Sequence, residues 1–262
     1  MKPLRAQLLR LLVAAAAAGL LALLVLPLAA LVLRVPPAAL WQRVREPLVL
    51  DALRLSLVTS AGSTALVVVL GLPLAYLLAT RRFRGQRAVE LLIDLPLVLP
   101  PTVAGVALLA AFGRAGLAGG VLHGLGITLP FTTLGVVVAQ AFVAAPFFVG
   151  AARTGLAEVD QRFLDMAATL RSTPVRTFAR VMLPLALPCL LAGAAMSWAR
   201  ALGEFGATIT FAGNLPGVTQ TMPLAVYLAL QSDLEAAVAL SVLLLGVSIV
   251  VLLLVRARRP VR

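Results

Sequence analysis

Apolar residues recur along this chain in six runs, and most of the charges fall in the stretches between them. The runs span residues 11–33, 55–79, 91–112, 131–152, 185–210 and 236–255. A helix needs about 20 apolar residues to cross the hydrocarbon core of a bilayer. The pattern therefore predicts six transmembrane helices, of which the fifth has the least certain outer end.

Three prolines, Pro96, Pro100 and Pro101, interrupt the third apolar run. Proline lacks a backbone donor and its ring clashes with the preceding turn of a helix. Irregular backbone at membrane depth is tolerated only where protein or water covers it. We therefore predict that the third span is broken and lies in the interior, next to the fifth span.

The composition, 61% hydrophobic and 12% charged, leaves too little polar surface to cover a soluble domain. It predicts an all-α integral membrane protein. The first run is longer than the apolar core of a typical signal peptide, so we expect it to be retained as a span.

The net charge of +12 alone would suit a nucleic-acid-binding protein, but the basic residues cluster at the two ends and in two alternate connections. The clusters are Lys2, Arg5 and Arg10; Arg81, Arg82, Arg84 and Arg87; Arg153, Arg162, Arg171, Arg176 and Arg180; and Arg256, Arg258, Arg259 and Arg262. With six spans, all four lie on one side of the membrane. The positive-inside bias then predicts a multi-pass protein of the bacterial cell membrane, with both termini in the cytoplasm and no nucleic-acid partner.

Several kinds of chemistry lack the residues that they need. One histidine and one cysteine cannot build the usual transition-metal site, so no metal is predicted. Lys2 is the only lysine, which excludes the phosphate-binding loop GxxxxGK[ST]. We therefore expect no cofactor in this chain and no enzymatic activity, and we expect Cys189 to be a packing residue.

The charged segment between the fourth and fifth runs has the period of an amphipathic helix. Its apolar residues recur at steps of four, three and four: Val159, Phe163, Met166 and Leu170. Glu158 and Arg162 are spaced for an i,i+4 ion pair. Thr173 and Pro174 suit the N-cap and first position of a second helix. Taken alone, the pattern favours a helix on the inner membrane surface, with arginines facing anionic lipid.

This segment resembles the cytoplasmic motif of ABC-importer permeases, in which EAA, a glycine, an isoleucine and LP follow at fixed spacing. The matching positions are Asp165, Met166 and Ala167 for EAA, Arg171 for the glycine, Val181 for the isoleucine, and Leu183 and Pro184 for LP. The resemblance implies a type I ABC-importer permease fold of six transmembrane helices. It also implies a coupling loop, residues 153–183, whose coupling helix docks into a separate ATPase subunit.

One position departs from the motif. A glycine between two helices usually supplies a positive φ or a close approach, and an arginine does neither readily. We expect Arg171 to face the partner or the lipid headgroups instead. A bulky charged residue in place of Ala167 is expected to abolish ATPase docking while the permease still inserts.

Two further stretches, LPPTVAG in the third run and GEFGATITFAGN at the outer end of the fifth, resemble permeases for molybdate, tungstate and sulfate. The residues of the second stretch are closer to those of molybdate permeases than to those of sulfate permeases. Tungstate has nearly the same size and charge as molybdate, so it is the alternative within this branch. The residues that we expect along the translocation pathway are Pro100, Pro101, Thr102, Gly105, Arg200, Gly203, Glu204, Gly206, Thr208 and Asn214. Arg200 and Glu204 are equally well explained as a mutual ion pair on one helical face.

The resemblance implies partners as well: a second copy of the chain, two cytoplasmic ATPase subunits that use ATP and magnesium, an extracytoplasmic molybdate-binding protein, and membrane lipid. Five arginines on the outer side are candidates to attract the anion or the binding protein, namely Arg34, Arg43, Arg45, Arg54 and Arg114.

Three alternatives remain. The first is a sulfate or thiosulfate permease. The second is a stand-alone secondary transporter, for which Asp94, Arg200 and Glu204 are the only charged candidates within the spans. The third, an interfacial enzyme, lacks a visible catalytic cluster.

Overall fold

The computed structural model describes residues 2–257, and over that range the chain forms α-helices, one π-helical turn and no β-strand, which confirms the all-α class. The helices are α1 (Lys2–Leu33), α2 (Pro37–Val44), α3 (Pro47–Thr80), α4 (Gln86–Val98), α5 (Pro101–Phe112), α6 (Gly119–Gly124), α7 (Thr133–Ala157), α8 (Gln161–Thr169), α9 (Pro174–Thr177), α10 (Leu183–Leu202), α11 (Gly206–Ala212), α12 (Met222–Leu230) and α13 (Leu234–Ala257). The π-helical turn is Phe178–Met182. Three arginines of the predicted C-terminal cluster, Arg258, Arg259 and Arg262, lie outside the described residues.

Five helices of the described range are long and apolar enough to cross a membrane. They are Leu9–Leu33, Pro47–Thr80, Thr133–Ala157, Pro174–Leu202 and Leu234–Leu253. They correspond to the first, second, fourth, fifth and sixth apolar runs. The second begins at Pro47 rather than at residue 55. The apolar run starts later than the helix because Asp51 and Arg54 lie exposed in the first turns of the helix.

The third span is two shorter helices, α4 and α5, joined through the extended residues Leu99 and Pro100. The predicted break is confirmed at Pro100, which stands just before α5, and Pro101 opens α5 as its first residue. The prediction was wrong for Pro96, which lies inside α4. The main partner of α5 is α11, which follows the fifth span in the chain.

The centre of the bundle is α7, which packs along both α3 and α10. Small residues let these backbones approach, as is usual between helices in a membrane. Gly71 faces the ring of Phe148, Gly193 faces Ala151, and Gly155 faces the side chain of Cys189. Cys189 is therefore a packing residue, as predicted.

The main packing partner of α1 is α13, and none of the apolar part of α1 is buried by the rest of the chain. On the same side as the start of α13, Arg43 binds both Glu46 (3.0 Å) and Asp233 (3.1 Å), which ties α2 to the loop before α13. A hydrogen bond from the backbone N–H of Ala236 and, to a lesser extent, the positive charge of Arg43 hold the pKa of Asp233 below its ordinary value. Arg45 lies over the ring of Trp41 at 4.6 Å.

Candidate functional site

The helix that carries the predicted coupling motif is α8. Asp160 caps it by accepting a hydrogen bond from the backbone N–H of Arg162 (2.9 Å). Asp165 is exposed and accepts from the amide of Gln161, one turn earlier (3.1 Å). The predicted Glu158–Arg162 helical pair was wrong, because Glu158 ends α7 and does not belong to α8.

The end of α8 is closed by a left-handed residue. Arg171 has φ of +53°, its N–H donates to the carbonyl of Ala168 (2.9 Å), and the N–H of Ser172 donates to the carbonyl of Ala167 (3.0 Å). These two bonds form a Schellman motif, which glycine usually completes. Arg171 therefore does supply the positive φ of the motif glycine, contrary to the expectation from its side chain.

The second helix of the loop begins as predicted. The hydroxyl of Thr173 accepts from the N–H of Arg176 (3.4 Å), and Pro174 is the first residue of α9. The π-helical turn follows and leads directly into Leu183 and Pro184, which open α10. Phe178 in this turn packs edge-on against Tyr76 of α3, with ring centroids 4.9 Å apart. The loop is thereby fixed to the bundle at its C-terminal side.

Between α8 and the π-helical turn lies a shallow groove of about 350 Å³, called here the loop groove. It is lined by Phe163, Met166, Ala167, Leu170, Ser172, Arg176, Arg180 and Val181. Met166 and Leu170 are 60% and 81% exposed, whereas Ala167 is only 7% exposed. An apolar surface with two arginines on its rim is therefore open to a partner, and Ala167 supports it from inside the fold.

The fifth span ends earlier than the sequence predicted. The last residue of α10 is Leu202, and α11 starts separately at Gly206. Glu204 thus lies in the intervening turn rather than on one helical face with Arg200. Its Oε1 accepts from the N–H of Ala207 (2.8 Å), and its Oε2 lies 2.5 Å from a guanidinium nitrogen of Arg200. The predicted ion pair exists and holds the turn together.

This turn borders a second groove of about 280 Å³, called here the span groove. It is lined by Pro101, Thr102, Arg200, Gly203, Glu204, Phe205 and Gly206. Six of these were expected along the translocation pathway, and Phe205 was not. Arg200 is the third-last residue of α10 and Pro101 is the first residue of α5. The groove therefore lies where α10 ends and the broken third span resumes.

The other four predicted pathway residues do not line the span groove. Pro100 is exposed just before α5, and Gly105 is buried where α5 meets α11. Thr208 is fully buried, and neither its hydroxyl nor the carbonyl oxygen of the Asn214 side chain has a hydrogen-bond partner among the described residues. Their part in a pathway stays a prediction.

Sequence reasoning missed several polar features. Buried side chains without a hydrogen-bond partner in the described part of the chain include those of Ser63, Gln140, Gln220 and Thr221. Gln140 interrupts the apolar run VVVAQAFV, a signal that was available. Near the end of α7 that leads to α8, Arg153 binds Glu90 of α4 (3.1 Å), a pair remote in sequence that no local pattern indicates.

Similarity to known proteins extends over nearly the whole chain. Residues 47–260 match the family described as binding-protein-dependent transport system inner membrane component. The molybdenum transport system permease protein ModB of Mycobacterium tuberculosis is 48% identical over 240 residues, covering 90% of this chain and 89% of the relative. The sulfate transport system permease protein CysT of Salmonella typhimurium is 36% identical over 234 residues, covering 88% and 84%.

Among solved structures, a bacterial ABC transporter involved in import of the acidic polysaccharide alginate superposes with a TM-score of 0.80. The match is 14% identical and covers 98% of this chain and 97% of the alginate transporter chain. At that identity, the likeness concerns the fold alone.

Proposed function

This chain belongs to the family of binding-protein-dependent transport system inner membrane components, and from that premise we propose that it is the membrane-spanning subunit of an ATP-driven importer of molybdate or tungstate. The observation that supports this substrate assignment is the 48% identity, over 90% of the chain, to a permease named for molybdenum transport. The sulfate permease relative, at 36%, supports sulfate as the second candidate. Molybdate, tungstate and sulfate are all tetrahedral dianions, so one type of pathway suits all three.

Energy for transport comes from a partner. The chain has no phosphate-loop lysine, and the loop groove presents exposed apolar side chains beside Arg176 and Arg180. In the proposed assembly, an ATPase subunit that uses ATP and magnesium docks on α8 of each of two copies. The edge-on packing of Phe178 against Tyr76 is the contact through which movement of the loop reaches α3.

Two copies of the chain enclose the pathway, and an extracytoplasmic binding protein delivers the dianion to its outer mouth. Both termini lie in the cytoplasm, in accord with the basic inner connections. Arg43 and Arg45 are already engaged by Asp233 and Trp41, so Arg34, Arg54 and Arg114 are the better candidates among the outer arginines to meet the binding protein.

The experiment is uptake of radiolabelled molybdate and sulfate into liposomes that contain the permease with its ATPase and binding protein. ATP-dependent uptake of molybdate, with sulfate competing only at much higher concentration, is the expected result. Tungstate is tested as a competitor in the same assay. A preference for sulfate would reassign the substrate.

Liposomes that hold the permease without the ATPase are the control. Uptake by these at the full rate, driven by an ion gradient, would replace the importer with a stand-alone secondary transporter. The polar residues within its spans then become the candidates for coupling.

A further inference from the structure

The span groove contains one cation, Arg200, and the side chain of that arginine is 30% exposed. A guanidinium carries five N–H donors in a planar fork, which suits the oxygens of an oxyanion. The other ionised side chain of the lining is Glu204, and Thr102 is the one further lining residue with a polar side chain. Arg200 is therefore the side chain of this groove best able to contact a dianion.

Glu204 lies behind Arg200 and is almost completely buried, with 1% of its side chain exposed. A buried carboxylate needs charged or hydrogen-bonding partners. Glu204 has two, because Oε1 accepts from the N–H of Ala207 while Oε2 pairs with the guanidinium of Arg200. The first contact fixes Glu204 to α11, and the second fixes Arg200 at the edge of the groove and balances its charge.

A transport pathway must bind its substrate strongly enough to admit it and weakly enough to release it. An unbalanced guanidinium inside a membrane would hold a dianion tightly, since Coulomb attraction is strong where little water screens it. A carboxylate that already occupies part of that guanidinium competes with the dianion. Glu204 is placed to act as this competitor.

We propose that Arg200 is the residue that contacts the oxyanion in transit and that Glu204 is a positioning residue that keeps this contact weak. The inference rests on the proposed function, since it names the part of the pathway that meets the dianion. It predicts that substitutions of the two residues change oxyanion affinity in opposite directions.

The test is equilibrium binding of radiolabelled molybdate to the purified complex of permease and ATPase, without the binding protein. In Glu204→Gln, the amide oxygen still accepts from Ala207 while the negative charge is lost. We expect this variant to bind molybdate at least about tenfold more tightly than the wild type, and Arg200→Gln to bind at least about tenfold more weakly. In liposomes, Glu204→Gln should import more slowly despite its tighter binding, because release is slowed.

Two further variants separate this role from a structural one. Glu204→Asp keeps the charge and should bind within a few-fold of the wild type. The double variant with Arg200→Gln and Glu204→Gln should bind as weakly as Arg200→Gln alone. Wild-type affinity in the double variant would mean that only the net charge matters, which overturns the contact with Arg200. Thermal unfolding in detergent shows which variants are folded.

If Glu204→Gln and Arg200→Gln both weaken binding and both lower the unfolding temperature, the pair only holds the turn together and the inference is wrong. Failure of the substrate assignment has a different outcome. The wild type then binds and imports sulfate instead, and the opposite effects of the two variants appear with sulfate.

Discussion

Arg171 holds a backbone conformation that side chains with a Cβ usually avoid. The motif that this loop resembles has a glycine at this position, and the arginine suggested that the turn would be built differently. The turn nevertheless has the usual geometry. The two hydrogen bonds to the carbonyls of Ala167 and Ala168 close α8, and they require a left-handed residue whatever its side chain. The hydrogen bonding at the end of α8 therefore fixes the turn, and Arg171 adopts a strained left-handed backbone conformation.

Replacing Arg171 with glycine should therefore stabilise the loop. A left-handed conformation costs a residue with a Cβ about 1 kcal/mol relative to glycine. We expect Arg171→Gly to raise the midpoint of thermal unfolding of the detergent-purified permease. Arg171→Ala, which retains a Cβ, should not raise it.

The comparison variant is Arg162→Gly, at the second residue of α8, where the backbone is helical and not left-handed. That change should lower stability by up to about 1 kcal/mol, since glycine is a poor helix former. A lower midpoint for Arg171→Gly would show that its side chain contributes more than its backbone conformation costs.

At the scale of the helices, α5 and α11 pack tightly against each other beside the span groove. A Cβ added at Gly206 would lie 2.5 Å from the Cβ of Pro101, and one added at Gly105 would lie 2.5 Å from the Cβ of Thr210. Non-bonded carbon atoms do not approach so closely in proteins. The broken third span thus packs on the helix that follows the fifth because both contribute glycine.

Gly105→Ala and Gly206→Ala should each separate α5 from α11. Overpacking of this kind typically costs about 1 to 3 kcal/mol, and here it also moves Pro101 at the edge of the span groove. We expect lower unfolding temperatures and reduced uptake in liposomes. Gly246→Ala in α13 is the control, because a Cβ there meets nothing within 4 Å, and its stability should be unchanged or slightly higher. Normal stability of Gly206→Ala would contradict the packing.

The elements also explain what could be predicted from the sequence. Apolar runs located the spans because hydropathy reports which residues tolerate lipid. Helix ends depend instead on hydrogen bonds that hydropathy does not register. At the break, Glu204 pairs with Arg200 and accepts a hydrogen bond from the N–H of Ala207, and α3 begins before its apolar run. The π-helical turn at Phe178–Met182 has no local pattern that indicates it.

At the scale of the whole molecule, part of the predicted site set borders two separate grooves: six pathway residues line the span groove, and Met166, Ala167 and Val181 line the loop groove. The motif resemblance could group these residues because it concerns positions that are close in sequence. It could not supply the pairing of Arg153 with Glu90, which links α7 to the third span. Contacts between distant segments depend on how the helices pack, and local sequence does not specify that.

The loop groove makes a prediction about assembly. Met166 is 60% exposed within it, so Met166→Glu introduces a charge into the proposed ATPase contact without disturbing the fold of α8. We expect at least a tenfold loss of ATPase that copurifies with tagged permease, about the effect of losing a central interface residue. Uptake should fall in parallel, while the amount of permease in the membrane stays normal.

Ala168→Glu is the matched control, since Ala168 is exposed on α8 but does not line the loop groove. Two residues further along a helix, it projects about 200° away from Met166 and should leave ATPase binding intact. Ala167 is less suitable than the sequence suggested, because a large charged residue at this buried position would distort the loop itself. Full ATPase binding by Met166→Glu would move the docking surface elsewhere on the loop, whereas equal losses in both variants would mean that any added carboxylate on α8 prevents docking.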